Sequence, residues 1–305
     1  MNKNKYIIKI LKYFVVFLIF FFILRYLYLN INSFDFSNIA FKFNYLLLSI
    51  TIYIFYLILN AIIWYVITRQ NNCEITLFET VKLRIYSDFG KYIPGKVFTY
   101  GILLYGYGQK NISKKKIAVC SFLELILSIL SAIIISLISI FSTDLKELNN
   151  YKFVLLILVF FCIIIIHPKV LQNIANFFLK KFHKKPIENT STYRNSITIL
   201  IIYIINWFVF GLAFYFFINS FYDFPFKFFL YSTGAFTMAG IIGLLAIFAP
   251  AGLGVREGIL IIVLSYIIPA PIASIISLSS RIWLTFCEIL LFAIIYGISL
   301  LNLKK

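Results

Sequence analysis

Long apolar runs separated by short polar stretches set the pattern of this chain. An apolar run of roughly 18–20 residues crosses a bilayer as a helix. Residues 11–30, 45–68, 117–141, 152–167, 196–219 and 272–303 read as six clear spans, the fourth of them short. Two further stretches are apolar but broken. Residues 75–113 carry Lys82, Arg84, Asp88, Lys91 and Lys96, with Gly90-Lys91-Tyr92-Ile93-Pro94-Gly95-Lys96 at their centre. The run beginning at residue 228 ends in Ala249-Pro250-Ala251-Gly252-Leu253-Gly254-Val255-Arg256-Glu257-Gly258 before a second apolar stretch to Ile268. Backbone broken at membrane depth is tolerated only where protein or a water-lined cavity satisfies it. The pattern therefore predicts an all-α, polytopic helical membrane protein. It has six clear spans plus two broken or re-entrant segments, all in a single integral membrane domain over residues 1–305.

Polar residues inside the spans recur at helical spacing and mark which faces point inward. Ser121, Glu124, Ser128 and Ser131 share one face of the third span. Ser274, Ser277, Arg281, Thr285 and Glu288 form a stripe on the last one. Asn60 and Trp64 lie four apart on the second span, and Asn206-Trp207 sits in the fifth. Ala235, Ala239 and Gly243 read as a small-residue face for close helix packing.

The segments 45–141 and 196–303 repeat one plan: span, Gly/Pro-broken segment, helix with an inward carboxylate. By charge placement they start on opposite sides of the membrane, an inverted-topology repeat. Paired Gly/Pro interruptions in such repeats point to a midplane binding site. The alternative for 75–113 is a plain amphipathic cytoplasmic loop.

Composition agrees with the membrane reading. The 305 residues are 62% hydrophobic and 13% charged, with mean hydropathy +0.96; soluble domains carry about 25% charged residues. The formal net charge of +17 would suit nucleic acid, but its placement excludes that partner. Of the 28 Lys and Arg, 21 fall in residues 1–12, 69–116, 168–195 and the C-terminus, all on one predicted side. By the positive-inside rule that side is cytoplasmic. Both termini are expected there, in a multi-pass plasma-membrane protein facing anionic lipid. Residues 11–29 are long for a signal peptide and no small-residue cleavage site follows, so none is expected. Phe177, Phe178 and Phe182 interleave with Lys180, Lys181, Lys184 and Lys185 as a basic surface helix would. Cys73, Cys120, Cys162 and Cys287 contain no C-x-x-C pair, and His167 and His183 stand apart, so neither a disulfide framework nor a metal site is expected.

The chemistry concentrates at the second break. Gly252 and Gly254 permit a tight turn and Gly258 a close approach, with helix resuming near Val255. A helix N-terminus there offers free N–H groups, and Arg256 adds a planar guanidinium suited to phosphate or carboxylate. Glu257, the next residue, is expected to face away from Arg256, toward the helix dipole or a cation on another helix. The competing reading pairs Arg256 and Arg281 with Glu124, Glu288 or Asp88 simply to hold the bundle together. Catalytic triads, phosphate loops and dinucleotide fingerprints are not seen. The reading expects no cofactor, no catalytic residues and a non-enzymatic role.

Taken in order and spacing, Gly90–Lys96, the helix with Glu124, and Pro250–Glu257 resemble the transmembrane region of lysylphosphatidylglycerol synthases. They are closer still to the stand-alone flippase-like proteins of that group. The resemblance implies a region that moves aminoacylated phospholipid between leaflets, while a separate cytosolic domain makes it. These 305 residues include no counterpart of that domain, so synthesis of the lipid is not expected. The implied substrates are a phospholipid, a modified phospholipid or a polyprenyl-phosphate-linked sugar, and a separate lipid-modifying enzyme is an implied partner. The expected activity is binding or flipping an anionic lipid. Arg256, Arg281 and the helix end after Gly254 would hold its headgroup. Glu124, Glu257 and Glu288 would serve as counter-charges or proton-coupling groups, and Gly252, Lys91, Pro94 and Lys96 complete the candidate substrate-binding set. The alternative is a membrane-embedded enzyme, or an accessory subunit, in synthesis of glycolipid, lipid-linked sugar or aminoacyl-phospholipid.

Overall fold

A computed structural model describes residues 41–92, 98–142, 192–246, 249 and 252–303, with isolated positions at 157, 170, 173 and 176. The expected spans at 11–30 and 152–167, both chain ends, the loop holding Asp144 and Glu147, and the basic aromatic run 177–185 lie outside the described residues. So do Pro94, Lys96 and Pro250.

The described chain is helical throughout its regular elements. In order these are α1 (Phe43–Gln70), α2 (Leu77–Asp88), α3 (Phe98–Gly108), α4 (Lys114–Phe141), α5 (Tyr193–Asn219), α6 (Phe229–Leu245), α7 (Val255–Leu264) and α8 (Ala270–Leu303). Short 3-10 turns at Phe89–Tyr92 and Phe226–Phe228 extend α2 and lead into α6. The helix starts have local causes. Thr76 accepts a hydrogen bond from the Glu79 N–H at 3.3 Å, and Thr192 does the same for Asn195.

Five helices are long and apolar enough to cross a membrane: Phe43–Gln70, Lys114–Phe141, Tyr193–Asn219, Phe226–Leu245 and Ala270–Leu301. This revises the expected span count. Four of the six predicted spans are present, and two fall outside the described residues. The fifth long helix is the first leg of the second broken segment, which the 3-10 turn lengthens enough to cross. The first broken segment has two short legs, α2 and α3, of 12 and 11 residues. At about 1.5 Å per residue neither spans a core of about 30 Å.

Packing follows the polar pattern rather than hydrophobicity. These helices are apolar all round, so only the inward polar and small residues distinguish interior from lipid. α1 packs along α5, α4 along α6, and α7 lies between α6 and α8. Gly234 makes the α4–α6 approach possible, since a Cβ there would stand 2.1 Å from the Ser139 side chain. The closest contact thus falls one residue before the expected small-residue stripe. Ala235 and Ala239 instead pack into an aromatic core with Tyr53, Phe210, Phe214, Phe217 and Trp283. A second apolar cluster, around Trp64, Leu103, Tyr107 and Ile117, occupies the other end of the bundle.

Candidate functional site

The first break forms because Gly90 lets α2 and α3 cross: a Cβ there would sit 2.4 Å from the Thr99 backbone nitrogen. Two charges flank this crossing on α2. Arg84 Nε lies 3.5 Å from Asp88 Oδ1 one turn on. Its two terminal nitrogens grip both oxygens of Glu124, at 2.9 and 2.8 Å, while the guanidinium lies 5.7 Å from the Trp64 ring centroid. Lys91, in the turn itself, reaches Glu288 of α8 at 2.6 Å. The Tyr53 hydroxyl also donates to Glu288 at 3.4 Å. Both inward carboxylates are therefore met by cations from the first broken segment.

At the second break Gly252 and Gly254 adopt φ of +70° and +80°, a region open to glycine at little cost. Gly252 also packs directly on α6, where a Cβ would meet Gly243 O at 2.9 Å. α7 begins at Val255, as expected. Gly258 does not mediate a close approach, since a Cβ there meets nothing within 4 Å.

The Glu257 side chain meets the helix start and a cation on another helix, as expected, but it does not face away from Arg256. Its Oε2 accepts a hydrogen bond from the Gly254 N–H at 2.7 Å, so one of the free N–H groups at the start of α7 is met by the helix's own carboxylate. In curling back it also meets its neighbour: Oε1 lies 3.5 Å from Arg256 Nε and 3.4 Å from Arg281 Nη1. Sequence neighbours diverge by about 100° at the backbone, but a long side chain folded toward the cap erases that divergence. Glu257 is almost fully buried (1% exposed), and Ser277 donates to its carbonyl at 2.9 Å. Glu257 thus lies against Arg256 and Arg281, while Glu124 meets Arg84 and Glu288 meets Lys91.

A cavity of about 580 Å³ opens between the two breaks. Lys91, Arg256, Arg281 and Glu288 line its polar side, and Leu125, Ile129, Leu244 and Leu245 its apolar side. Arg256 lies over the Phe236 ring, 5.0 Å from the centroid. Its Nε and Nη2 are buried without a hydrogen-bond partner among the described residues. A second cavity of about 280 Å³ adjoins the first, with Ile129, Gly240 and Leu244 lining both. Glu124 lies here, beside Arg84, and not in the larger cavity.

Of the sequence-predicted residues, the structure thus brings together Lys91, Arg256, Arg281 and Glu288. Gly252, Gly254 and Glu257 shape the turn behind them. Arg84 and Tyr53 were missed as parts of this network, and Asp88, expected to pair with Arg256 or Arg281, lies instead against Arg84. The four-residue spacing of Arg84 and Asp88 was the available signal, but lysines nearby made both look interfacial. Glu124 lies about 15 Å along α4 from its start, and Glu288 about 22 Å from the end of α8. Both thus lie well inside helices long and apolar enough to cross a membrane.

These features define a polytopic helical membrane protein whose two broken segments meet at a charged, part-apolar cavity. The chain belongs to the family described as the lysylphosphatidylglycerol synthase TM region, which matches residues 9–291. No curated protein matches it. Family and helices together make it a multi-pass membrane protein related to lipid synthesis or transport.

Proposed function

We propose that this protein binds the headgroup of an anionic lipid in the larger cavity and passes the lipid between leaflets. The observation that carries this reading is Arg256. A buried guanidinium with unfilled donors is costly, and this one borders a cavity whose opposite wall suits acyl chains. A phosphate would fill those donors with two charge-assisted bonds. Lys91 and Arg281 supply further positive charge. Glu257 and Glu288 keep the cluster from being an irreversible anion trap. The halves 45–141 and 196–303, taken as inverted repeats, provide the means of exchange: rocking one against the other would open the cavity to each side in turn. Both termini then face the cytoplasm of a plasma-membrane protein.

The test is transbilayer movement of fluorescent phosphatidylglycerol in liposomes containing the purified protein. Wild-type protein is expected to accelerate it, and Arg256→Lys to slow it by an order of magnitude at unchanged thermal stability. Protein-free rates with wild type, or full activity in Arg256→Lys, would overturn the assignment.

A further inference from the structure

The smaller cavity differs in chemistry from its neighbour. Its only charged groups among the described residues, Arg84 and Glu124, are locked together by the two-pronged pair at 2.8 and 2.9 Å. What remains is neutral and rich in hydrogen-bonding groups: Asn60, Asn206, Tyr56, Tyr203 and Ser128, with the indole of Trp207. One of these is orphaned: Asn206 Oδ1 is buried without a hydrogen-bond partner among the described residues, on a side chain that is 2% exposed, whereas the Tyr203 hydroxyl is turned to Glu124. Such atoms are destabilising unless something accepts or donates to them. The Trp207 N–H is already committed to Ser131 Oγ at 3.0 Å, which fixes the ring and leaves it to act as an apolar platform.

We infer that this cavity is a subsite for an uncharged, hydroxyl-rich part of the lipid headgroup, a polyol or a single sugar ring. The inference rests on the anionic-lipid reading, because the subsite adjoins the cavity assigned to the phosphate. Three considerations select this chemistry. An anion would find no uncommitted cation, since Arg84 is neutralised by Glu124. An acyl chain would leave the buried Asn206 amide oxygen unpaired. A polyol both donates and accepts, which matches amide oxygens and phenol groups together, and a ring can lie on an indole face. The volume, near the lower end of the roughly 300–1,000 Å³ usual for ligand pockets, suits one ring-sized group. Gly240 stands where the two cavities adjoin, and a Cβ there would meet nothing within 4 Å. A phosphate on one side and its substituent on the other can therefore be joined past this residue.

The experiment compares lipids of equal charge. Phosphatidylethanol, phosphatidylglycerol and phosphatidylinositol are phosphodiesters of the same net charge, with no, two and five free headgroup hydroxyls. Their affinities for the purified full chain would be measured by titration in detergent, with phosphatidylcholine as the zwitterionic control. The expected result is that a hydroxylated lipid binds about tenfold tighter than phosphatidylethanol, the effect of one or two neutral hydrogen bonds. Phosphatidylglycerol leading indicates an open polyol, and phosphatidylinositol leading indicates a ring. Asn206→Leu and, separately, Gly240→Leu should reduce that ratio to about one. The second replaces a helical glycine with a better helix former, so it tests the passage without removing a polar group from the core. Equal affinity for all three anionic lipids in wild type would overturn the subsite and leave the anionic-lipid reading standing. So would an undiminished ratio in Gly240→Leu. No preference for any anionic lipid over phosphatidylcholine would overturn both.

Discussion

Arg256 and Glu257 are adjacent in sequence and close in space, yet they make different demands on a substitution. Lysine at 256 keeps the charge, the approach to Glu257 and a cation above Phe236. It loses the planar fork that holds two phosphate oxygens at once. Arg256→Lys should therefore cost activity and not stability, about tenfold or more, since charge-assisted bonds contribute roughly 1.5–3 kcal/mol each. Parallel loss of lipid transport and detergent-solubilised thermal stability would mean that Arg256 serves the fold alone. Glu257 carries a cap and a counter-charge together. Glu257→Gln retains an oxygen for the Gly254 N–H but removes the negative charge lying 3.5 Å from Arg256 and 3.4 Å from Arg281. It should destabilise by about 3 kcal/mol, the lower end for breaking a buried pair, because these ion-pair distances are long. Glu257→Ala should lose about 1 kcal/mol more through the cap. Thermal unfolding of the three proteins in one detergent checks the order, and equal losses in the two variants would show that the cap contributes nothing.

At the scale of elements, the second break depends on a glycine that is constrained twice. Gly252 has φ of +70° and touches the α6 backbone at Gly243, so Gly252→Ala is both strained and crowded. Gly297 sits in α8 with nothing within 4 Å of a Cβ. Alanine there should be neutral or stabilising by up to about 1 kcal/mol. The expectation is loss of folded protein, or a melting point lower by several degrees, in Gly252→Ala only. Size-exclusion profiles and melting curves of the two variants read this directly, and a fold indifferent to Gly252→Ala would show that the turn is not fixed by that contact. Four of the spans and the two interrupted regions were legible because length, hydropathy and Gly/Pro punctuation act locally along the chain. Pairing was not. Arg84 meets Glu124 forty residues away, and Lys91 meets Glu288 nearly two hundred residues away. Nothing in periodicity distinguishes these partners from Asp88 or Arg281. Where helices are apolar on every face, crossing geometry decides which inward charges meet, and that geometry is absent from a linear pattern. Glu257 shows the converse limit: helical-wheel angles place Cα atoms correctly but not the end of a long side chain.

At the scale of the whole molecule, the described residues separate their charges by depth. At one end Lys42 pairs with Asp223, and its backbone N–H donates to Ser220 O at 2.9 Å. The other end gathers the Lys110–Glu79 pair, the Lys116 contact to Asn72 O and the Lys82 bond to Ser299. Between them, around the two cavities, Arg84, Lys91, Arg256 and Arg281 face Asp88, Glu124, Glu257 and Glu288. That interior set is balanced, as a low-dielectric region requires if its charges are to remain ionised. Among the described residues the asymmetry lies at the ends. Residues 69–116 hold nine Lys and Arg, and the structure places much of this segment at the end opposite Lys42. By the positive-inside rule, the end with Asn72 and Lys110 should face the cytoplasm and the end with Asp223 the outside. Single cysteines at Asn72, Gln109 and Asp223, in a background lacking Cys73, Cys120, Cys162 and Cys287, test this in intact cells. A membrane-impermeant maleimide should label Asp223→Cys from outside, and label Asn72→Cys and Gln109→Cys only after permeabilisation. The reversed pattern would invert the orientation while keeping the fold. Labelling of Asn72→Cys and Asp223→Cys alike from outside would contradict the separation of the two ends, and with it the opposed approach of the two broken segments to one cavity.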